Sequence, residues 1–155
     1  MKIDASFARQ GFRDRANANG HFFAVAPMLL ALIMFWPFGG GEKVPMVAGT
    51  QTPAARGTVI VRTGSNNNSR LDLKVQALAK ASSLTPAANA YVVWVQPPGQ
   101  SAQNEGELKV DKNLNGELHT ETSYKRFKVF VTAEQNAQVQ APKGAQVLTA
   151  DVAQS

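Results

Sequence analysis

The pattern of hydrophobic and polar positions changes along this chain, and from position 58 onward it has a period of two residues. The clearest example is residues 70–78, RLDLKVQAL, in which the apolar positions Leu71, Leu73, Val75 and Ala77 alternate with polar ones. Residues 126–134 alternate in the same way, with Phe127, Val129 and Val131 on one face. Because successive side chains of a β-strand point to opposite sides, this period predicts strands with one buried face.

Five further segments have the composition of strands, namely residues 58–62, 90–96, 106–111, 116–123 and 146–152. Residues 90–96, AYVVWVQ, are almost continuously apolar, which is typical of a central strand covered on both faces. Trp94 lies in this strand and is predicted to be a core residue, as in immunoglobulin-like domains. Seven short strands separated by turn signals predict an all-β fold, an immunoglobulin-like antiparallel β-sandwich of about seven strands over residues 58–153.

The 17 residues from Phe22 to Phe38, FFAVAPMLLALIMFWPF, contain no charge. As a helix they would span about 25 Å, which is at the short end of what crosses a bilayer. The residues that would contact lipid are Phe22, Phe23, Leu29, Leu30, Leu32, Ile33, Phe35 and Trp36. The preceding residues 1–21 are a short basic head, which the positive-inside rule keeps in the cytoplasm. The sequence therefore predicts a single transmembrane anchor over residues 22–38, followed by a domain outside the cytoplasm.

Two other interpretations of residues 22–38 remain open. A cleaved signal peptide has an apolar region of similar length, but Trp36, Pro37 and Phe38 are bulky where such a signal has small residues before its cleavage site. A buried core helix is the other interpretation, although core helices are usually shorter and amphipathic. Residues 39–57 are rich in Gly, Pro, Ala and Thr and have no hydrophobic period, so they are predicted to be a flexible linker.

The composition restricts both the chemistry and the partners. The chain has 155 residues, a formal net charge of +5 and no cysteine, so neither disulfides nor thiolate metal sites can form. The basic residues are scattered, and only Lys125, Arg126 and Lys128 lie close together, as a solvated turn or as a patch that steers an acidic partner. A nucleic-acid-binding surface concentrates its positive charge on one face. The predicted partners are therefore the membrane lipid bilayer and an unidentified envelope protein, and no nucleic acid.

The sequence DKNLNG, which begins at Asp111, is the sharpest candidate for a ligand site. It matches the first half of a calcium-binding loop, in which Asp111, Asn113 and Asn115 would supply oxygen ligands. The last ligand of such a loop is a bidentate Glu, whereas this chain has Thr122 at that position. Asn115 followed by Gly116 between two alternating segments is also a strong signal for a β-hairpin. The hairpin is the favoured interpretation, and calcium binding is the alternative.

No arrangement of residues in the sequence indicates an enzyme. The two histidines, His21 and His119, have neither cysteines nor a second histidine at metal-binding spacing. A serine elbow of the GxSxG type and the Gly-rich phosphate-binding motifs are missing from the sequence. We therefore predict no catalytic residue, no cofactor and no cofactor-binding residue.

Three stretches of the β-rich part resemble a known family. They are AYVVWVQPPG, GELKVDKNLNGEL and FKVFVTAEQNAQVQAPKGAQVL. The tryptophan-containing strand falls on Tyr91 to Gln96, a G-x-L hairpin on Gly106 to Leu108, the strand before a turn on Val129 to Glu134, and a P-x-G-x-x-V-L ending on Pro142, Gly144, Val147 and Leu148. Over residues 58–152 the chain thereby resembles the extracytoplasmic C-terminal domain of anti-sigma-K-type factors.

This resemblance implies a single-pass protein whose exported sandwich senses or holds another molecule. Members of the family carry a helical sigma-binding domain before the membrane span, whereas this chain has about 20 residues there, too few to fold alone. Sigma-factor binding is therefore not expected. The predicted function is that of a protein-interaction or envelope-sensing module anchored at the cell membrane. The alternative is a secreted or periplasmic binding domain, dependent on calcium or carbohydrate, whose signal peptide is removed.

Overall fold

The computed structural model describes residues 40–154 of the chain. The predicted cytoplasmic head, residues 1–21, and the predicted transmembrane anchor, residues 22–38, lie outside the described residues. Within residues 40–154, no helix has the length and apolar character that a membrane span requires.

Eight β-strands and two short 3₁₀ turns make up the described part of the chain. The strands are β1 (Glu42–Ala48), β2 (Arg56–Thr63), β3 (Ser69–Gln76), β4 (Ala90–Gln96), β5 (Gln103–Glu107), β6 (Gly116–Thr122), β7 (Arg126–Glu134) and β8 (Ala145–Ala153). The 3₁₀ turns are Ser65–Asn67 and Ala81–Ser83. The prediction of an all-β fold is confirmed, and its seven strands correspond to β2 through β8.

All neighbouring strands are antiparallel, and they form one nearly closed sheet in the order β5-β4-β7-β8-β1-β2-β3-β6. β1 joins two halves of this sheet, because its first five residues pair with β2 and its last two pair with β8. We call β1-β2-β3-β6 the first half and β8-β7-β4-β5 the second half. Where the sheet comes closest to closing, the hydroxyl of Thr120 in β6 donates a hydrogen bond of 2.5 Å to Glu105 Oε2 in β5.

β1 lies inside residues 39–57, which the composition predicted to be a flexible linker, and the prediction is wrong for this stretch. Met46 is buried in the core and Val44 packs against it, while Pro45 is exposed on the opposite side. Over these residues β1 pairs with β2 alone, and an edge of this kind is where a proline is tolerated within a sheet. The proline and the nearby glycines made these residues look like a linker in the sequence. β1 forms because it pairs with β2 and β8, although its composition does not favour a strand.

The end of β3 also departs from the predicted alternation, which placed Ala77 in the core. Ala77 is exposed and has a φ of 53°, a left-handed conformation that ends the strand. Leu78 is fully buried in its place, and its N–H donates a hydrogen bond of 3.0 Å to the main-chain oxygen of Leu114. One left-handed residue therefore shifts the alternation of side chains by one position.

The strand predicted over residues 106–111 is found three residues earlier, at Gln103–Glu107. Gly106 has a φ of 124°, a conformation that favours glycine, and it lies beside a β-bulge in the pairing with β4. Leu108 is buried, as the alternation indicated, but Val110 is only half-buried beyond the end of the strand. The bulge and the glycine thus end β5 before the predicted position.

The main core lies between the inner faces of the two halves of the sheet. Tyr91, Val93 and Val95 of β4 face this core from the second half. Its buried leucines come from both halves and from the connecting loops: Leu71, Leu73, Leu78, Leu84, Leu108 and Leu148. Since the chain has no cysteine, burial of this apolar surface is the main source of stability that the domain has.

Candidate functional site

The outer face of the second half carries another apolar cluster. Val92 and Trp94 of β4 and Phe130 of β7 are buried there, although they point away from the main core. The rings of Trp94 and Phe130 are stacked, with their centroids 6.4 Å apart. Trp94 is therefore buried, as the sequence predicted, but in a cluster on the outer side of the sheet rather than between its two halves.

Residues 135–144, which we call the cover segment, connect β7 to β8 across this cluster. Ala137 and Val139 of the segment pack against the apolar side chains beneath. Asn104 of β5 holds both residues, because its Nδ2 donates hydrogen bonds to Ala137 O at 2.9 Å and to Val139 O at 2.8 Å. A Cβ on Gly144 would lie 1.7 Å from a main-chain oxygen of β7, so only glycine lets the segment close onto that strand.

A buried chain of hydrogen bonds links Trp94 to the end of the cover segment. Trp94 Nε1 donates to Thr132 Oγ1 at 2.8 Å, and Thr132 Oγ1 donates to Glu134 Oε1 at 2.7 Å. The same carboxylate oxygen accepts the N–H groups of Lys143 and Gly144, both at 3.0 Å. Glu134 is only 3% exposed, and three donors on one oxygen compensate for its removal from water. Its role is to fix the cover segment.

The outer face of the first half is charged and exposed. Asp72 of β3 lies between two neighbours: its Oδ1 is 2.6 Å from His119 Nδ1, and its Oδ2 contacts the guanidinium of Arg62. Lys74 donates a hydrogen bond of 2.8 Å to Glu117, and this bond lowers the pKa of the Glu117 carboxyl. Among the hydrogen bonds of residues 40–154, the one that His119 makes through its side chain is with Asp72.

The loop that begins at Asp111 is held by hydrogen bonds to its own main chain. Asp111 Oδ1 accepts the N–H groups of Asn113 and Asn115 at 2.8 and 2.9 Å. Leu114 N donates to Asp111 O at 3.1 Å, and Leu114 is left-handed with a φ of 62°. A turn followed by a left-handed residue is a common short hairpin loop. Only the turn of the favoured hairpin is formed, with one isolated bridge between Val110 and Gly116, because β5 and β6 lie at opposite edges of the sheet. Its left-handed residue is Leu114 rather than Asn115 or Gly116.

The three predicted calcium ligands, Asp111, Asn113 and Asn115, therefore lie in one loop. The carboxylate of Asp111 is directed at main-chain donors of that loop, which is the arrangement of an Asx turn. Within the part of the chain that the structure describes, no group of three or more His, Cys, Asp or Glu side chains is placed to hold a metal ion. Calcium binding by this loop stays a prediction.

A cleft of about 390 Å³ opens at the end of the sheet where β7 begins and β4 and β8 end. We call it the end cleft. Its lining residues are Gln96, Pro97, Pro98 and Gly99 after β4, Arg126, Phe127 and Lys128 of β7, and Asp151, Val152 and Ala153 of β8. Its apolar lining comes from the buried Pro97, Phe127 and Val152 and from the exposed Pro98, and its charged lining residues are Arg126, Lys128 and Asp151. An apolar floor with a few polar groups is typical of a binding site.

The loop at residues 123–125, which precedes β7, is fixed beside this cleft by hydrogen bonds. The buried Ser69 donates its hydroxyl to Tyr124 O at 2.7 Å. The N–H of Gln154 donates to Lys125 O at 2.8 Å, and the hydroxyl of Tyr124 lies 3.1 Å from Oε1 of Gln100. These bonds come from three separate parts of the chain. They fix the main chain of the loop that leads into Arg126 and Lys128.

Sequence reasoning found some members of these sites and missed others. It singled out Lys125, Arg126 and Lys128, of which the last two line the end cleft, but it missed the cleft because most of the other lining residues come from distant segments. It also missed Glu134, whose signal was a lone carboxylate at the end of an apolar strand. A carboxylate at the end of a strand can be exposed to water or buried with hydrogen-bond donors. Glu134 is buried because the cover segment folds over it and supplies two main-chain donors.

No protein-family model matches the sequence, and no curated protein matches it. The residues on which the resemblance to anti-sigma-K-type factors depends fall on β4, on β5 and its end, on β7, and on the cover segment and β8.

Proposed function

We propose that this chain is a single-pass membrane protein whose extracytoplasmic domain, an immunoglobulin-like β-sandwich, is a protein-interaction or envelope-sensing module. The observation that carries the proposal is the order of segments: a basic head, an uncharged apolar stretch over residues 22–38, and an all-β domain from Glu42. A basic head before an apolar span directs the following domain out of the cytoplasm. The resemblance to the exported part of anti-sigma-K-type factors supports the same arrangement.

Binding rather than catalysis is supported by how the polar groups of the described domain are used. Asp72 engages Arg62 and His119, Asp111 caps its own loop, and Glu134 holds the cover segment. Each of these carboxylates therefore contributes to holding the fold. The clefts and exposed faces of the described domain are better suited to binding a partner than to catalysis. Loops at the ends of such a domain and its exposed faces are the usual places for partners to bind.

The topology is tested with single introduced cysteines, because the chain has none of its own. We expect Ala87→Cys, at an exposed position in the domain, to react with a membrane-impermeant maleimide in protoplasts or spheroplasts. Ser6→Cys in the head is the matched control and should react only after lysis. Labelling of the head in intact cells, or protection of the domain, would contradict the proposal.

A secreted domain with a cleaved signal is the second candidate, and one observation favours it. β1 begins at Glu42, so cleavage before that residue would leave the whole domain intact. Cleavage further along would remove Val44 and Met46, which pack in the core. The intact mass of the protein purified from cells separates the two candidates: full length indicates an anchor, and an N-terminus at residues 39–42 indicates a removed signal.

Crosslinking at defined positions tests the interaction itself. A photoreactive residue at Lys112 in the hairpin loop, or at Lys74 on the charged outer face, is expected to give a discrete product with one envelope protein in living cells. Unirradiated cells are the control. If neither these positions nor other exposed ones give a discrete product, the domain is not an interaction module.

A further inference from the structure

The strand pairing places several segments at the end of the sheet where the chain enters β1. β7 begins at this end and β8 finishes there, because Arg126 pairs with Ala153. β4 also finishes there, because Gln96 pairs with Lys128. The antiparallel pairing of β1 with β8 gives the start of β1 the same position. We call this the entry end, and it carries both the end cleft and the loop at residues 123–125.

Very few residues separate the entry end from the predicted anchor. Three glycines lie between Phe38 and Glu42. A Cβ on Gly41 would lie 2.5 Å from Arg62 Cγ and 2.6 Å from Val61 O, so Gly41 already packs against β2. Even a fully extended chain covers at most about 14 Å over four residues. In an anchored protein, the start of β1 therefore stays within about 14 Å of the end of the apolar span, a maximum reach of less than two Debye lengths of about 8–10 Å.

The entry end has an excess of positive charge around the end cleft. Lys125, Arg126 and Lys128 are set close together by the loop at residues 123–125 and the first residues of β7, and Arg126 and Lys128 are exposed. Asp151, which pairs with Lys128 across β7 and β8, is the one acidic residue that lines the cleft. The other charged residues near this end are Glu42, Lys43, Arg62, Arg70, Asp72, Glu105 and Glu121, whose formal charges sum to −1, so the positive excess is local to the cleft and its adjoining loop.

The cleft also has an apolar edge. Pro97, Pro98 and Gly99 form a turn closed by a hydrogen bond of 3.2 Å from Gln100 N to Pro97 O. Pro98 is exposed, and a Cβ on Gly99 would meet no atom within 4 Å, so the turn projects from the surface. A projecting apolar turn beside basic side chains matches the boundary between lipid headgroups and acyl chains.

We propose that the entry end is a docking surface for anionic lipid headgroups, which Arg126 and Lys128 bind at the end cleft and Lys125 binds from the adjoining loop. The inference rests on the proposed function, because the anchor is what brings this end to the membrane. Ammonium and guanidinium groups form strong hydrogen bonds with phosphate oxygens. Each basic residue near an anionic membrane strengthens the attraction about fivefold. An acidic protein segment would find the same charges, but the short spacer places lipid nearer to them.

The experiment uses the full chain reconstituted into vesicles of phosphatidylcholine, alone or mixed with phosphatidylglycerol. A fluorophore is attached to Ser123→Cys at the entry end or to Ala87→Cys at the opposite end, both of which are exposed positions. Quenching by lipids with nitroxide headgroups then reports how close each label is to the membrane. The test variant is K125Q/R126Q/K128Q, and R56Q/K109Q/K112Q removes the same number and kinds of charge at the opposite end.

We expect phosphatidylglycerol to increase quenching at Ser123→Cys and not at Ala87→Cys. The increase should be lost in the K125Q/R126Q/K128Q variant, retained in the control variant, and abolished at about 1 M salt, where the Debye length is about 3 Å. Equal quenching in the two kinds of vesicle, or an unchanged increase in K125Q/R126Q/K128Q, would overturn the inference.

Retention of the chain by vesicles after alkaline carbonate washing reports the anchor separately. A retained chain without lipid-dependent quenching overturns only the docking surface, whereas a chain that is washed off overturns the proposed function and this inference with it.

Discussion

The two halves of the sheet have opposite outer faces. On the first half, alternate residues of β3 and β6 form a solvated charged face, in which Lys74 pairs with Glu117 and Asp72 lies beside His119. On the second half, Trp94 and Phe130 occupy the corresponding outward positions and are buried beneath the cover segment. Both halves are antiparallel sheets with the same inner core. The difference shows that the covering chain, and not the type of sheet, decides whether an outward position is buried or exposed to water.

The comparison also explains how far each half depends on other parts of the molecule. The charged face of the first half needs only water and its own cross-strand pairs, which contribute little to stability. The second half needs the cover segment, and the cover segment needs Glu134, Asn104 and Gly144 to hold it in place. Substitutions on the second half should therefore cost much more than substitutions on the first.

The largest effect is expected for Trp94→Ala. Removing this buried ring leaves a cavity and leaves Thr132 without its donor, so we expect a loss of about 3–5 kcal/mol in the free energy of unfolding. Ile60→Ala, at a half-buried outward position of the first half, should cost about 1 kcal/mol or less. Urea unfolding of the full chain in detergent, followed by circular dichroism, measures both. Similar losses in the two variants would contradict the contrast between the faces.

The next effect concerns the inner face of β4 and appears at alkaline pH. Burial raises the pKa of Tyr91 to about 12, and its hydroxyl donates a hydrogen bond of 2.7 Å to Ala79 O. Below pH 10 the phenol is protonated in both the folded and the unfolded chain. As the pH rises from about 10 to 12 the unfolded chain ionises first, so about 2–3 kcal/mol of stability should be lost over that window. Tyr91→Phe should remove this part of the alkaline loss in pH-dependent unfolding, at the cost of one hydrogen bond.

The cover segment should loosen when Glu134 loses its charge. Glu134→Gln keeps the size of the side chain but weakens the bonds that its oxygen accepts from Lys143 and Gly144. We expect a loss of about 1–3 kcal/mol and faster tryptic cleavage after Lys143. Glu121→Gln, at an exposed position of the first half, is the matched control and should change stability by no more than about 0.5 kcal/mol. Equal protease resistance in the two variants would show that the carboxylate does not hold the segment.

The hairpin loop at Asp111 tests the calcium alternative with a smaller effect. Asp111→Ala removes the acceptor of two main-chain bonds and should cost about 1 kcal/mol, whereas Asp111→Asn keeps an acceptor and should cost less. If the carboxylate serves only the hairpin, millimolar calcium should leave the melting temperature unchanged. A rise with calcium that is lost in Asp111→Ala would establish the loop as a calcium site.

The smallest effect is expected on the charged face of the first half. Lys74→Gln breaks the hydrogen bond that lowers the pKa of Glu117. A lowered carboxyl pKa contributes stability above the ordinary pKa, and this contribution is lost as the pH falls through the folded value. In Lys74→Gln we expect the pKa of Glu117 to return towards its ordinary value in an NMR titration, without a resolvable change in stability at neutral pH. A large loss of stability would show that this face is more than a solvated surface.

Strands β2, β4, β6, β7 and β8 could be predicted from the sequence because alternation is a local property. Their positions follow the predicted segments to within about two residues. β1 could not, since Pro45 and the neighbouring glycines resemble a linker until β2 is present to pair with them. For the candidate site, Lys125, Arg126 and Lys128 were visible as a cluster in the sequence, but the prolines and Asp151 that complete the cleft are not adjacent to them.

The order of residues by itself determined most strands of an all-β domain and the positions of an uncharged apolar stretch and a basic head. These follow from the alternation of side chains and from runs of apolar residues, which neighbouring residues alone define. Only the tertiary structure decided that Trp94 is buried on the outside of the sheet, that Glu134 fixes the segment above it, and that the entry end gathers the basic cleft. Such features depend on which distant segments pair and cover each other, because burial is set by the surrounding chain and not by the residue itself.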